Sequence, residues 1–165
     1  MSATRTNGRP GLALVTPLAP EVMFCSHCGT RPEAGETISP TRVCNACGLG
    51  LLLHCAEDAA PKPGDAFVVL DHTLSVCAVS AAAEKLLATP EVEAVNVPVG
   101  SLLVPAEAEA EDNNGAGLAA AIIWAARGDG GVSRTVVRPA NTFGVRMNAR
   151  IVGCGPPRAA LLVFE

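Results

Sequence analysis

The chain has 165 residues, 49% of them hydrophobic and 17% charged, and a net charge of −4. Those values describe a globular protein with room for one ordinary domain plus a small module, and they speak against the whole molecule binding a polyanion. Aromatic residues make up only 3%, with no tyrosine, so the core must be built from valine, leucine, isoleucine and alanine.

Residues 1–21 hold glycine, proline and threonine without periodicity and read as a disordered tail. Within them Leu12-Ala13-Leu14-Val15 is followed by Pro17 and Pro20, too short for the apolar segment of a secretory signal. No window approaches the roughly 18 uninterrupted apolar residues of a membrane span. Seven cysteines, an odd number, suit a reducing interior, and the expectation is a soluble cytoplasmic protein.

Cysteine spacing carries the strongest signal. Cys25-Ser26-His27-Cys28 is followed, fifteen residues later, by Cys44-Asn45-Ala46-Cys47, and each pair is followed directly by a glycine, Gly29 and Gly48. Two such knuckles at this separation match the four-thiolate zinc pattern, in which each tight turn supplies two sulfurs to a tetrahedron. A segment this short and poor in large apolar side chains cannot bury a core of its own, so the ion would serve as one. Disulfides or free thiols are the alternatives, but nothing suggests export, and a redox dithiol would leave the second pair unexplained. Neither pair is followed by histidine, so c-type haem attachment is not indicated. Zn2+ bound by Cys25, Cys28, Cys44 and Cys47, in a structural role within a module over 22–56, is therefore expected.

Past the second knuckle, Gly48 to Ala56 reads as a short helix carrying His54 and Cys55, and 57–64, with Pro61, Pro63 and Gly64, reads as a linker. From Asp65 the pattern changes. Ala66–Leu70 is a buried-strand run, Asp71-His72 has turn character, and Leu74–Val79 is a partner strand. Ser80 is placed to cap a helix over Ala81–Leu87, with Glu84 near the capping-box position. Glu107, Glu109, Glu111 and Asp112 read as a solvated loop. The strongest helix runs from Leu118 to Ala126 and ends before Gly128. Strands follow at Arg134–Arg138, at 145–151, where Val145, Met147, Ala149 and Ile151 alternate with polar residues, and at Ala159–Phe164. Strand, strand, short helices, longer helix and three strands make an antiparallel α+β domain over 65–165.

This order resembles the PAS domain, a sensory and dimerising module. The resemblance is carried by Asp65–Asp71 for the first strand and turn, Ser80–Leu87 for the first helix, and Val99–Pro105 for the segment before the long helix. It implies a five-stranded antiparallel sheet with helices on one side, and a pocket between the two. Its lining would be Val145, Met147, Ala149 and Ile151 opposite Leu118, Ile122 and Trp124. Haem is not expected, because the long helix has no histidine, and flavin photochemistry is not expected, because its Asn-Cys-Arg motif is missing.

The second knuckle, Val43-Cys44-Asn45-Ala46-Cys47-Gly48-Leu49, looks like a treble-clef finger of the GATA type. The loop between the knuckles is shorter than in that family, and both its Trp-Arg-Arg stretch and its basic tail are missing. Between Glu21 and Ala60 two arginines face five acidic residues, and a four-thiolate zinc centre adds −2, so duplex DNA is not an expected partner. His27 is expected to face solvent, as is His72, while Cys77 and Cys154 read as buried apolar residues. No Gly-x-Ser-x-Gly elbow, phosphate loop or His-Glu-x-x-His pair occurs. The reading is a non-enzymatic signalling or regulatory protein, a sensor or adaptor that self-associates through the PAS-like part. The alternatives are a DNA-binding regulator that uses the finger and a thiol-based zinc switch.

Overall fold

Apolar runs such as Phe67-Val68-Val69-Leu70 and Ala159-Ala160-Leu161-Leu162-Val163 show no polar alternation because both faces of their strands are buried. The computed structural model describes residues 20–106, 114–129 and 131–165. The predicted acidic loop at 107–112 and nearly all of the predicted tail lie outside those residues; Glu21, assigned to the tail, opens the first strand.

Eight strands form one sheet, not the five expected over 65–165. They are β1 (Glu21–Cys25), β2 (Leu52–Ala56), β3 (Phe67–Leu70), β4 (Val76–Val79), β5 (Leu103–Pro105), β6 (Ser133–Pro139), β7 (Met147–Gly155) and β8 (Ala159–Phe164). The helices are α1 (Ala81–Leu87), α2 (Glu91–Ala94) and α3 (Asn114–Arg127). All strand pairs are antiparallel, in the order β1-β2-β7-β8-β3-β4. The long strand β7 serves two partners along one edge: β6 pairs with its first half, Met147 to Ile151, and β2 with its end at Cys154 and Gly155. The five expected strands all form, and β1, β2 and β5 are added to them.

Alternation along the central strands divides the core in two. Val68, Leu70, Ala149, Ile151, Ala160 and Leu162 face one way and pack with Leu87 of α1, Ala94 of α2, and Leu118, Ile122, Ala125 and Ala126 of α3. Phe67, Val69, Val152, Leu161 and Val163 face the other way, against Phe24 of β1, Leu53 and Cys55 of β2, and Ala59 and Ala60. The helices thus lie on one side, as expected, and the β1–β2 hairpin covers the other. The segment read as a linker is part of this second core, since Ala59 is 0% exposed.

Local chemistry fixes the helix ends. Ser80 Oγ accepts from Ala83 N–H at 3.2 Å, as an N-cap does, and also accepts from Phe67 N–H at 2.9 Å. Glu84 does not close a capping box; its carboxylate accepts from the Glu91 N–H and so ties α1 to α2. At the end of α3, Gly128 N–H donates to Ala125 O at 3.0 Å and Asp129 N–H to Trp124 O at 2.9 Å, a Schellman pair. That turn rests on β7 at Gly153, where an added Cβ would stand 2.8 Å from Ala125 O, so only glycine fits. Among the described residues no helix is long and apolar enough to cross a membrane.

Candidate metal centre

The residues between β1 and β2 form the loop of a hairpin whose last registered pair is Cys25 with Leu52. Each knuckle closes as a tight turn, with Gly29 N–H donating to Cys25 O at 3.0 Å and Gly48 N–H to Cys44 O at 2.8 Å. Further bonds lace the turns to the strand that follows. Ser26 N–H donates to Leu51 O, Cys44 N–H to Gly50 O and Leu52 N–H to Arg42 O, each at 2.8 Å. Where the knuckles meet, a Cβ on Gly50 would fall within 2.7 Å of His27 N and nearer still to Cys25 Sγ, so only glycine lets the two turns close.

The sulfurs of Cys25, Cys28, Cys44 and Cys47 all lie within 4.8 Å of one another. Cys25 Sγ is 3.6 Å from Cys47 Sγ, and Cys28 Sγ is 3.9 Å from Cys44 Sγ. A tetrahedron of sulfurs bonded at about 2.3 Å to a central ion has edges of about 3.8 Å. The donor set therefore fits a thiophilic cation, and the four cysteines can hold one. The N–H groups of His27 and Cys28 point at Cys25 Sγ at 3.4 and 3.5 Å and would stabilise thiolate character there. Without an ion the thiols differ. Burial pushes Cys25 well above the ordinary thiol range and raises Cys44. Burial also works to raise Cys47, but the Gly50 and Leu49 N–H groups and the Cys25 and Cys28 thiols outweigh it and hold Cys47 at about 6. With four sulfurs in place no position is left for a water, so the centre can act as a staple and not as a Lewis acid.

The loop is fastened to the rest of the sheet at several points. His27 O accepts from the Ala81 N–H at the start of α1, at 3.0 Å, and Arg42 Nη1 donates to Pro156 O in the β7–β8 turn at 2.8 Å. The Phe24 and Phe67 rings meet edge to face, 5.8 Å apart. His27, expected to face solvent, instead sets Nδ1 3.5 Å from Glu91 Oε2, with its side chain 17% exposed.

The other sequence candidates fall in different places. The stretch read as a helix after the second knuckle is strand β2, so His54 and Cys55 point to opposite faces: His54 opposes Met23, and Cys55 enters the second core. Cys77, expected buried, is exposed next to a register shift between Val69 and Leu70, and Cys154 is half-buried opposite Cys55. Of the proposed pocket residues, Leu118, Ile122, Ala149 and Ile151 are buried core, and Met147 packs at its margin. Trp124 is 59% exposed and Val145, which precedes β7, is 40% exposed, so neither reaches the interior. Sequence reasoning missed β1, although Glu21-Val22-Met23-Phe24-Cys25 carries the apolar, aromatic composition of a strand.

No family model matches the chain, and no curated protein matches it. The structure is similar to the PAS domain of nitrogen regulation protein NR(II) from Vibrio parahaemolyticus, over 62% of this chain and 88% of that one, with a TM-score of 0.44 and 14% identity. At that level the likeness carries no functional weight. The α+β description rests on this chain's own curled antiparallel sheet and its helices.

Proposed function

We propose that this chain is a zinc-stapled, PAS-like signalling adaptor. It is a non-enzymatic, self-associating interaction module in which the ion locks the β1–β2 hairpin onto the sheet. The observation that carries this is the convergence of Cys25, Cys28, Cys44 and Cys47 at tetrahedral spacing inside the loop of a hairpin that belongs to the main sheet. Zn2+ is the usual occupant of a closed four-thiolate site, and such a site supports folding in place of catalysis. The sequence resemblance of 65–165 to PAS domains supplies the signalling part. Leu118, Ile122, Ala149 and Ile151 fill space between helices and sheet. That packing favours partner docking over a buried chromophore. Duplex DNA is left out because of the acidic balance around the knuckles.

Elemental analysis and sedimentation of the purified chain test the proposal. One zinc per chain is expected, lost in the Cys44→Ser variant, together with a concentration-dependent dimer. A chain that folds with no bound metal refutes the staple; a strict monomer refutes the self-association.

A further inference from the structure

The outer edge of β6 carries an opening that the cysteine centre does not use. β5 pairs with β6 only at Val137, Arg138 and Pro139. Among the described residues no strand covers that edge from Ser133 to Val136. Four strand residues span about 13 Å, and an uncovered edge of that length is a template for one more strand. A cleft of about 680 Å³ lies beside it, walled by Leu118, Ala121 and Trp124 of α3 and by Ser133, Arg134 and Thr135 of β6. The three α3 residues recur every third position and so share one helix face. Trp124, more than half exposed, gives that face a large flat apolar surface open to solvent.

Charge indicates what the cleft takes. Residues 130–164 contain five of the chain's twelve basic residues and none of its sixteen acidic ones. Two of the five are engaged internally: Arg150 bonds Glu165 and Ala59 O, and Arg158 donates to Arg127 O. Arg134 and Arg146 are exposed and make no ion pair among the described residues. Glu165 also borders the cleft, but its carboxylate is held 3.0 Å from Arg150. A second copy added edge to edge would bring Arg134 against its own counterpart, and like charges facing across a sheet are unfavourable. A long polyanion or an anionic bilayer would meet the acidic excess carried by the rest of the chain. A short segment meets only the local field, because screening acts over about 8 Å at physiological salt.

We propose that this cleft docks an extended acidic segment of a partner protein. The segment adds as a strand along Ser133–Val136, lays alternate apolar side chains on Trp124 and sets carboxylates against Arg134. The inference rests on the adaptor reading and deepens it by naming the chemistry of the partner.

Trp124 is the chain's single tryptophan, so its emission reports the cleft directly. The full chain is titrated with a peptide of alternating glutamate and valine, with its lysine counterpart, with a single-stranded oligonucleotide and with vesicles of anionic lipid. A saturable change with the glutamate peptide alone is expected. Arg134→Glu should weaken it at least tenfold, and Lys85→Glu, on the exposed face of α1, should leave it unchanged. No saturable change, an equal response to the lysine peptide, equal loss in both variants, or tighter binding of the oligonucleotide or vesicles overturns the proposal. Zinc content and dimerisation are measured separately, so a failed titration with both intact removes this site and leaves the adaptor reading standing.

Discussion

Replacing Phe24 by alanine tests whether the cysteine hairpin and the remaining sheet are one cooperative unit. Phe24 is 0% exposed and sits among Leu53, Val69, Leu161 and Val163, with its ring edge to face with Phe67. Truncating a buried phenylalanine costs about 3–5 kcal/mol, of which the aromatic pair accounts for about 0.5–1.5 kcal/mol. Phe24 lies one residue before the first knuckle, whereas Trp124 lies on α3 against the opposite face of the sheet. Urea unfolding followed by Trp124 fluorescence therefore reads the loss at a distance. With a slope of about 2 kcal/mol per molar urea, the midpoint should fall by about 1.5–2.5 M. An unchanged Trp124 transition, with only metal retention affected, would show that the hairpin folds separately, and the continuous sheet would then lack energetic meaning.

Three further outcomes follow from local contacts. Gly153→Val drives a side chain into Ala125 O and should destabilise the chain by about 1–3 kcal/mol, measured by the same transition; a neutral effect would mean that α3 does not press on β7 as described. Ser80→Ala removes the cap of α1 and leaves the buried Phe67 N–H without its acceptor, for a loss of about 2–3 kcal/mol in urea unfolding, and a loss below about 0.5 kcal/mol would contradict the bond network. Burial works to raise the Asp71 carboxyl, but bonds from the Thr73 side chain and the Ser75 and Thr73 N–H groups outweigh it and hold it below the ordinary range. A carboxyl depressed on folding contributes stability above its unfolded value of about 3.9 and loses it as the pH falls through the folded value. Urea midpoints measured from pH 6 down to pH 2.5 should accordingly fall less in Asp71→Asn than in the natural chain; parallel curves would remove Asp71 from the acid response.

Much of the fold was legible where one principle dominated. Two paired-cysteine knuckles at short, regular spacing announce a cluster because the chemistry of four thiolates tolerates few spacings, and the four sulfurs do converge. The long helix ended at Gly128 as read, since a left-handed glycine is the common helix stop. The failures have physical causes. Leu51-Leu52-Leu53 looked helical because the strand is apolar on both faces, Leu52 toward the cysteines and Leu53 toward the second core, so its alternation is hidden. Val145 extended a period-two pattern that the β6–β7 turn had already interrupted. Cys77 followed the strand pattern but fell beside a register shift that no local residue signals. The pairing of β2 with β7 joins residues about a hundred positions apart, and local pattern reasoning does not reach that far.

The second core bears on how such a module can associate. Phe67, Val69, Leu161 and Val163 are each no more than 2% exposed because the hairpin and the segment after it lie over them. A partner, or a second copy, cannot use that sheet face while the hairpin is seated. The face becomes available only if the knuckles unlace, and that costs the hairpin's burial together with any ion holding the four thiols. Binding at that face and metal binding are then competing ligands of one equilibrium, each weakening the other by the same factor. Self-association of the metal-loaded chain must therefore run through the helices, the β6 edge or the outer edge of β4, and chelation should change which surface is used as well as lowering stability. A dimer whose affinity and contact surface are identical with and without metal would show that the hairpin stays seated on its own contacts, with Phe24 on Phe67 sufficient to hold it.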